Sequence, residues 1–441
     1  MIPREVCVVL QTLERAGHEA YAVGGCVRDS LMGKAPHDWD VTTSALPQET
    51  MALFDHFAIP TGLQHGTVTV RSGGLSCEVT TFRTDGDYPD HRHPAAVTFT
   101  RSLREDLARR DLTVNAMAMD VQGTLHDPFG GQADIRRRIL RCVGEPERRF
   151  REDALRILRT LRFSATLGFV IEEDTHRALR VQSGDLRYVA AERVREELTK
   201  LLCGADVLRV LLEDPQVLGM VLPEILPCVG FDQHNRHHCY DVWGHTAHAV
   251  AAAPPDPVLR WAMLLHDLGK PRCFTMDEQG VGHFHGHHRP GAEMAETICR
   301  RLRFDKATAR QICMLVRYHD RPIPLTEKAI RRAMNQLGAE GLRQLCAVKR
   351  ADNLAQHPDY RSRQREIDEG EAIMDALLEK DACFSLKQLA VNGRDMAALG
   401  LEGPAIGQAL QTLLEAVMDG ETDNDRTALL ALAKEKIQPI A

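Results

Sequence analysis

The chain opens on an amphipathic stretch, MIPREVCVVLQTLERAG, whose apolar residues recur with helical spacing. A short apolar run, Ala20 to Val23, then meets Gly24-Gly25. Val27-Arg28-Asp29 begins a second helix-like stretch that stops at Gly33. The next apolar run carries Asp38 and Asp40. On a strand, residues two apart share a face, so this reading sets the two carboxylates side by side, with Trp39 and Val41 on the opposite face. Residues 67–81 alternate and turn at Ser72-Gly73-Gly74, which predicts a hairpin with Glu78 on the face opposite Cys77 and Val79. Residues 84–100 are polar and Pro-containing and read as a mobile loop. From about 141 to 215 the period becomes helical, in REDALRILRTLRF and AERVREELTKLL. Leu222-Pro223-Glu224 and the residues to Asn235 read as a linker, and helical patterns fill the rest of the chain. The expected class is α+β. Residues 1–140 form a head with strands, 141–215 a helical neck, 216–370 a helical domain dense in His and Asp, and 371–441 a helical tail.

At 441 residues the chain exceeds one ordinary core. Its apolar runs are too short to span a bilayer, and its start does not read as a signal peptide. Twelve scattered cysteines without a C-x-x-C pair fit free thiols in a reducing, cytoplasmic setting. The net charge of −7 argues against nucleic-acid binding through bulk charge. It leaves room for a local basic surface. From Arg101 to Arg162 the chain is dense in arginine and has no lysine. The planar guanidinium fork suits phosphates and base edges.

Adjacent carboxylates repel unless a cation sits between them, and a hard divalent ion such as Mg²⁺ suits Asp38 and Asp40. Glu78 is a candidate third carboxylate. Gly24 and Gly25 allow the backbone and a helix start to approach an anion closely. Together these features suggest a nucleoside triphosphate and phosphoryl transfer. Farther on, Arg109, Arg110, Asp111, Thr113 and Asn115 crowd into seven residues and offer groups for ribose hydroxyls and phosphates. Asp153 and Arg156 stand at i, i+3 on the predicted neck helix. An Asp acceptor beside an Arg donor matches the Watson–Crick edges of cytosine and adenine and mismatches guanine and uracil. A mismatch that leaves buried polar groups unpaired costs about 1–3 kcal/mol each.

GGCVRD with DWD, RRDLTVNAM, DPFGG, EDALRILR and ERVREEL occur in this order. They closely resemble the five successive motifs of class II tRNA nucleotidyltransferases, the CCA-adding enzymes, and of their relatives the bacterial poly(A) polymerases. The resemblance covers residues 1–200, nearly half of the chain. It implies a polymerase-β-like head with Asp38 and Asp40 as Mg²⁺ ligands and Glu78 beside them. It implies Arg28, Arg110, Asp111 and Asn115 at the sugar and triphosphate, and Asp153 with Arg156 as a protein template for CTP and ATP. Arg159, Glu192, Arg193 and Glu197 would support that helix. The implied partner is the 3′ end of a tRNA, with no membrane and no DNA. Poly(A) synthesis and CC-only or A-only addition stay open, as does a hydrolase whose head only binds RNA. The tail lacks the strongly basic extension expected of the poly(A) polymerases.

A second set lies in the other half: His245, His266-Asp267, His287, His319 and Asp352. Burying a His-Asp pair between leucines is costly unless both groups are satisfied. Such side chains on successive helices can converge on metal. The pattern resembles the HD-superfamily metal phosphohydrolases, which implies a divalent metal of open identity and phosphate-ester hydrolysis. His283, His285 and His288 lie beside His287, so the ligand at that point stays open.

Overall fold

The computed structural model describes residues 2–86, 97–380 and 382–436. Helix α1 (Arg4–Arg15) buries Val6, Val9, Leu10 and Leu13, the apolar face that its spacing predicts. It packs on a sheet built from β1 (Ala20–Val23), β2 (Trp39–Thr43), β3 (Ala58–Gly62), β4 (Thr67–Ser72) and β5 (Leu75–Thr81). Between these strands run α2 (Gly25–Leu31) and α3 (Pro47–Phe54). The predicted hairpin is the β4–β5 pair, turning at Gly73-Gly74. Cys77 and Val79 are buried and Glu78 is exposed, as the alternation requires.

Two features differ from the pattern reading. Asp38 stands one residue ahead of β2, so the strand carries Asp40 alone. Residues 84–100 are not all loop: β6 (Arg83–Asp85) pairs antiparallel with β7 (Val97–Phe99). The residues between them, 87–96, lie outside the described part. Each strand has only three residues, too few for an alternation to show. Helix α4 (Leu103–Ala108) follows, then β8 (Ala118–Met119) and β9 (Leu125–His126), which complete the sheet in the order β3-β4-β5-β2-β1-β8-β9. Helix α5 (Gly131–Arg137) leaves the sheet. The core joins α1, α2 and the inward side chains of β1, β2, β4 and β5.

The neck contains α6 (Pro146–Glu152), α7 (Leu155–Leu167), α8 (Glu173–Val181), α9 (Ala191–Leu202), α10 (Val207–Glu213) and α11 (Pro215–Gly219). Ala154, Ile157, Leu158 and Leu161 are all fully buried, as expected. The helix expected to carry Asp153 and Arg156 together is broken. Asp153 ends α6 in an extended conformation, and α7 starts at Leu155. The expected linker is also partly folded. Pro223–Cys228 forms a 3₁₀ helix that buries Ile225 and Cys228. The chain divides into two compact units at this point. One contains Met1–Leu226 with Arg301–Arg303, and the other Pro227–Arg300 with Phe304–Ala441.

The second unit is helical, with α12 (Val242–Ala252), α13 (Pro257–Leu265), α14 (His288–Arg301), α15 (Lys306–Tyr318), α16 (Glu327–Leu337), α17 (Ala339–Leu354) and α18 (Arg363–Glu379). Side-chain N-caps start several of them: Asp241 for α12, Asp256 for α13, Asp305 for α15 and Thr326 for α16. Helices α19 (Gly393–Ala398), α20 (Pro404–Asp419) and α21 (Arg426–Lys436) share a core of their own around Met396, Leu413 and Leu429. No helix among the described residues is long and apolar enough to cross a membrane.

Candidate functional site

The first unit holds a polar cleft of about 550 Å³. Its walls bring together Gly24, Gly25, Arg28, Asp38, Asp40, Arg110, Asp111, Asn115, Asp153, Arg156, Arg159 and Arg193. Residues more than 150 positions apart in the chain therefore face one space. Asp40 comes from β2 and Asp38 from the turn before it. Glu78 is not in the cleft wall. It lies opposite Asp40 in the parallel β2–β5 register. Burial raises the Asp40 carboxyl above its ordinary range, Arg110 opposes this, and Glu78 and Asp38 add to it. This clustering of negative charge fits a divalent cation bound at Asp38 and Asp40.

Gly24 has φ +84°, and a Cβ there would lie 2.9 Å from Arg110 Nη1 and 3.8 Å from Asp40 Oδ2. Only a glycine lets the arginine come this close. Asp111 Oδ1 accepts from the Asn115 amide at 3.0 Å and from the Leu112 N–H at 2.8 Å. Its Oδ2 accepts from Arg159 Nε at 2.8 Å. Burial pushes the Asp111 carboxyl up, but Arg159 and these donors outweigh it and hold it well below the usual range. Arg28 Nη1 donates to Asn115 Oδ1 at 2.6 Å. The motif thus forms one connected network, Arg28–Asn115–Asp111–Arg159.

Asp153 and Arg156 face the same cleft, joined by a backbone hydrogen bond while their side chains take different partners. Asp153 Oδ2 meets Arg193 Nη2 at 3.1 Å. Arg156 Nη1 donates to Glu152 Oε2 at 2.8 Å, and Nη2 donates to the Arg109 carbonyl at 2.9 Å. Glu197 supports α7 through Arg162 Nε at 2.6 Å. Glu192 is outside the cleft wall and pairs with Arg303. The sequence reading passed over Phe163, whose ring lies under the guanidinium groups of Arg162 at 3.7 Å, Arg28 at 5.0 Å and Arg159 at 5.5 Å. The signal was present: Arg159, Arg162 and Phe163 stand at i, i+3, i+4 on α7.

In the second unit the His/Asp residues converge, although the chain separates the first from the last by more than 100 positions. His245 Nε2 lies 2.9 Å from Asp352 Oδ1 and 3.5 Å from Asp267 Oδ2. His266 Nε2 lies 3.2 Å from Asp267 Oδ2, and His287 Nε2 lies 3.3 Å from Asp267 Oδ1. His287 and His319 meet through their Nε2 atoms at 3.0 Å. The Nδ1 atoms of His266, His287 and His319 lie 2.6, 2.9 and 2.7 Å from the carbonyls of Met263, Phe284 and Val316. A carbonyl only accepts, so each Nδ1 carries the proton and each Nε2 offers a lone pair inward. His245–His266–Asp267 and Asp267–His287–His319 are two groups compact enough to hold metal ions. Among the described residues the buried His266 Nε2 has no hydrogen-bond partner, which fits a metal there. His287 is the histidine of its cluster that turns inward. Lys270, in the same LLHDLGK run, was missed. Its Nζ lies 2.7 Å from Asp267 Oδ2 and donates to Gln233 at 2.8 Å. A cavity of about 180 Å³ adjoins His319 and Asp352, with Ile323, Leu342, Lys349 and Arg363 in its wall.

Residues 20–141 match the poly A polymerase head domain, 168–228 a probable RNA- and SrmB-binding site of polymerase A, and 236–356 the HD domain. A CCA-adding enzyme of Geobacillus stearothermophilus is 36% identical over 98% of this chain and 97% of its own. The chain belongs to the CCA-adding enzyme family. One of Lactiplantibacillus plantarum is 34% identical over 97% of this chain and 94% of its own. The crystal structure of the Bacillus stearothermophilus CCA-adding enzyme in complex with CTP superposes with a TM-score of 0.76 at 31% identity, covering 99% and 98% of the two chains. The Thermotoga maritima CCA-adding enzyme complexed with tRNA shares the fold, with a TM-score of 0.59 at 18% identity over 99% and 97%. The protein is therefore a nucleotidyltransferase with a polymerase-β-type head, a helical neck and an HD domain.

Proposed function

We propose that this protein builds and repairs the 3′-terminal CCA of tRNA from CTP and ATP without a nucleic-acid template. The observation that carries the reading is the single cleft in which Asp38 and Asp40 face Asp153 and Arg156. Asp38 and Asp40 would hold Mg²⁺, with Glu78 adding charge from the neighbouring strand. The metal supplies charge stabilisation for transfer of the nucleotide to the tRNA 3′-hydroxyl with release of pyrophosphate. Arg110 binds the triphosphate from the side opposite Gly24. The Arg28–Asn115–Asp111–Arg159 network orients the sugar. Asp153, held by Arg193, and Arg156, held by Glu152, offer an acceptor and a donor to the base edge. The broken helix supports this reading, because neither group is spent in an ion pair with the other. Arginines around Phe163 provide a surface for phosphates.

The test uses a tRNA that ends at the discriminator base, each nucleoside triphosphate and Mg²⁺. Ordered addition of C, C and A, then a stop, is expected. Open-ended adenylate tailing would favour poly(A) synthesis, and a halt after C, C or a need for a CC end would favour partial addition.

The inward Nε2 atoms of the second unit favour one further activity: metal-dependent hydrolysis of phosphate esters. His245, His266, Asp267, His287, His319 and Asp352 would hold the metal. Hydrolysis of 4-nitrophenyl phosphate with Mn²⁺, Ni²⁺ or Co²⁺, lost in Asp267→Ala, tests it.

A further inference from the structure

One buried carboxylate beside the cleft has no part in the reading above. Asp106, on α4, is fully buried. Its Oδ1 accepts from Arg109 Nε at 3.0 Å and Nη2 at 2.9 Å, and from the Arg83 N–H at 3.3 Å. Its Oδ2 accepts from Thr42 Oγ1 at 3.0 Å and lies 3.7 Å from Arg110 Nη2. Five donors surround a group that only accepts when ionised. Burial pushes this carboxyl up, and Arg109 and Arg110 outweigh that effect and keep it ionised.

Two groups of the cleft depend on the residues that Asp106 holds. Arg110 is trapped between Asp106 behind it and Gly24 in front, and so stays beside Asp40. The backbone carbonyl of Arg109 receives Arg156 Nη2 at 2.9 Å, while Arg156 Nη1 is fixed by Glu152. Any shift of Arg109 therefore turns the guanidinium that faces the base. The same short segment also receives Arg149 Nη1 on the Ala108 carbonyl at 3.1 Å, so neck helix α6 registers on it too.

We propose that Asp106 is a positioning residue for nucleotide selection: it fixes Arg110 for the triphosphate and, through Arg109, aims Arg156 at the incoming base. This rests on the proposed roles of Arg110 and Arg156. An amide at position 106 would turn an N–H₂ group toward guanidinium donors and remove the buried counter-charge that the two arginines share.

The experiment compares Asp106→Asn, Asp106→Glu, Arg109→Ala and Asp153→Ala in the full chain, each checked for folding by circular dichroism and thermal unfolding. Asp106→Asn should raise the KM for CTP and for ATP about tenfold and lower the preference for CTP over UTP by about the same factor. Arg109→Ala should lower the preference with a smaller change in KM, because Arg110 keeps its partner. Asp106→Glu should restore part of both. A folded Asp106→Asn variant that loses kcat equally for CTP and ATP and still excludes UTP would show a staple of the fold only and would overturn the proposal. Loss of folding in both Asp106→Asn and Arg109→Ala would do the same. If Asp153→Ala relaxes base choice and Asp106→Asn does not, only the role of Asp106 falls. If Asp153→Ala also leaves UTP excluded, the base-reading assignment falls with it.

Discussion

Replacing Gly24 by alanine separates backbone strain from the geometry of the cleft. Gly24 sits at φ +84° and ψ −132°, a conformation that side chains rarely adopt. Forcing a Cβ into it costs about 1–3 kcal/mol. The added methyl would also lie 2.9 Å from Arg110 Nη1, where non-bonded heavy atoms favour about 3.5–4.0 Å. Arg110 must then retreat by roughly 0.5–1 Å. A displacement of about 1 Å in a positioning group can cost on the order of 10²-fold in rate. Gly33 provides the control. It has φ +72° and, among the described residues, nothing within 4 Å of a built Cβ, so Gly33→Ala carries strain without a collision. Both variants should lower the unfolding temperature. Only Gly24→Ala should lower kcat/KM for CTP, by about 10–100-fold in steady-state addition to tRNA lacking CCA. Equal kcat/KM for the two variants would refute the claim that Gly24 exists to admit Arg110.

Three other outcomes follow from the geometry. Asp153→Ala should admit UTP and GTP while changing triphosphate affinity less; unchanged exclusion of both would remove Asp153 from base choice. His266→Ala should reduce the metal retained after dialysis, read by elemental analysis, and leave CTP addition intact; unchanged metal content would place the ion elsewhere. Asp214 accepts from His176 at 2.8 Å and Arg180 at 2.8 Å. Burial pushes its carboxyl up, and His176 and Arg180 outweigh that and hold it below the ordinary value. A depressed carboxylate contributes stability that is full above the unfolded-state value of about 3.9 and is lost as pH falls through the folded-state value. Asp214→Asn should therefore be less stable than the parent at pH 7, with the gap closing toward pH 3 in thermal unfolding; a gap independent of pH would contradict the assignment.

The parts of the cleft that were legible in the sequence are those fixed by local spacing. Trp39 and Val41 had to face the core, which left Asp40 to the other side, and the paired glycines marked a close approach. What could not be read was decided by distant partners. EDALRILR scans as one helix, since neither glycine nor proline interrupts it. The break at Asp153 becomes visible only once Leu155 N–H and Arg193 engage its carboxylate. Asp106 belongs to no motif in the sequence; its burial comes from Thr42 on β2 and from the Arg83 N–H, both distant along the chain. In the second unit the set was legible from His266-Asp267, a pair of polar groups set between leucines, and from His319 beside Asp320. Lys270 was hidden by its commonness, although it lies one helical turn from Asp267.

The inward-facing imidazoles have an effect on the helices that carry them. His266 and His319 are the residues on which α13 and α15 end. Their Nδ1–H groups reach back to the carbonyls of Met263 and Val316, and so close the last turns of those helices. Each ring is thus a C-terminal cap on one edge and presents its other nitrogen to the candidate metal site. A descendant that no longer needed the metal could discard Asp352 more cheaply than Asp267, whose loss would leave the buried Lys270 ammonium without its charged partner, and losing either histidine would fray a helix. Histidines at these two positions in a related chain therefore report helix endings first, and only together with both aspartates do they report a working metal centre.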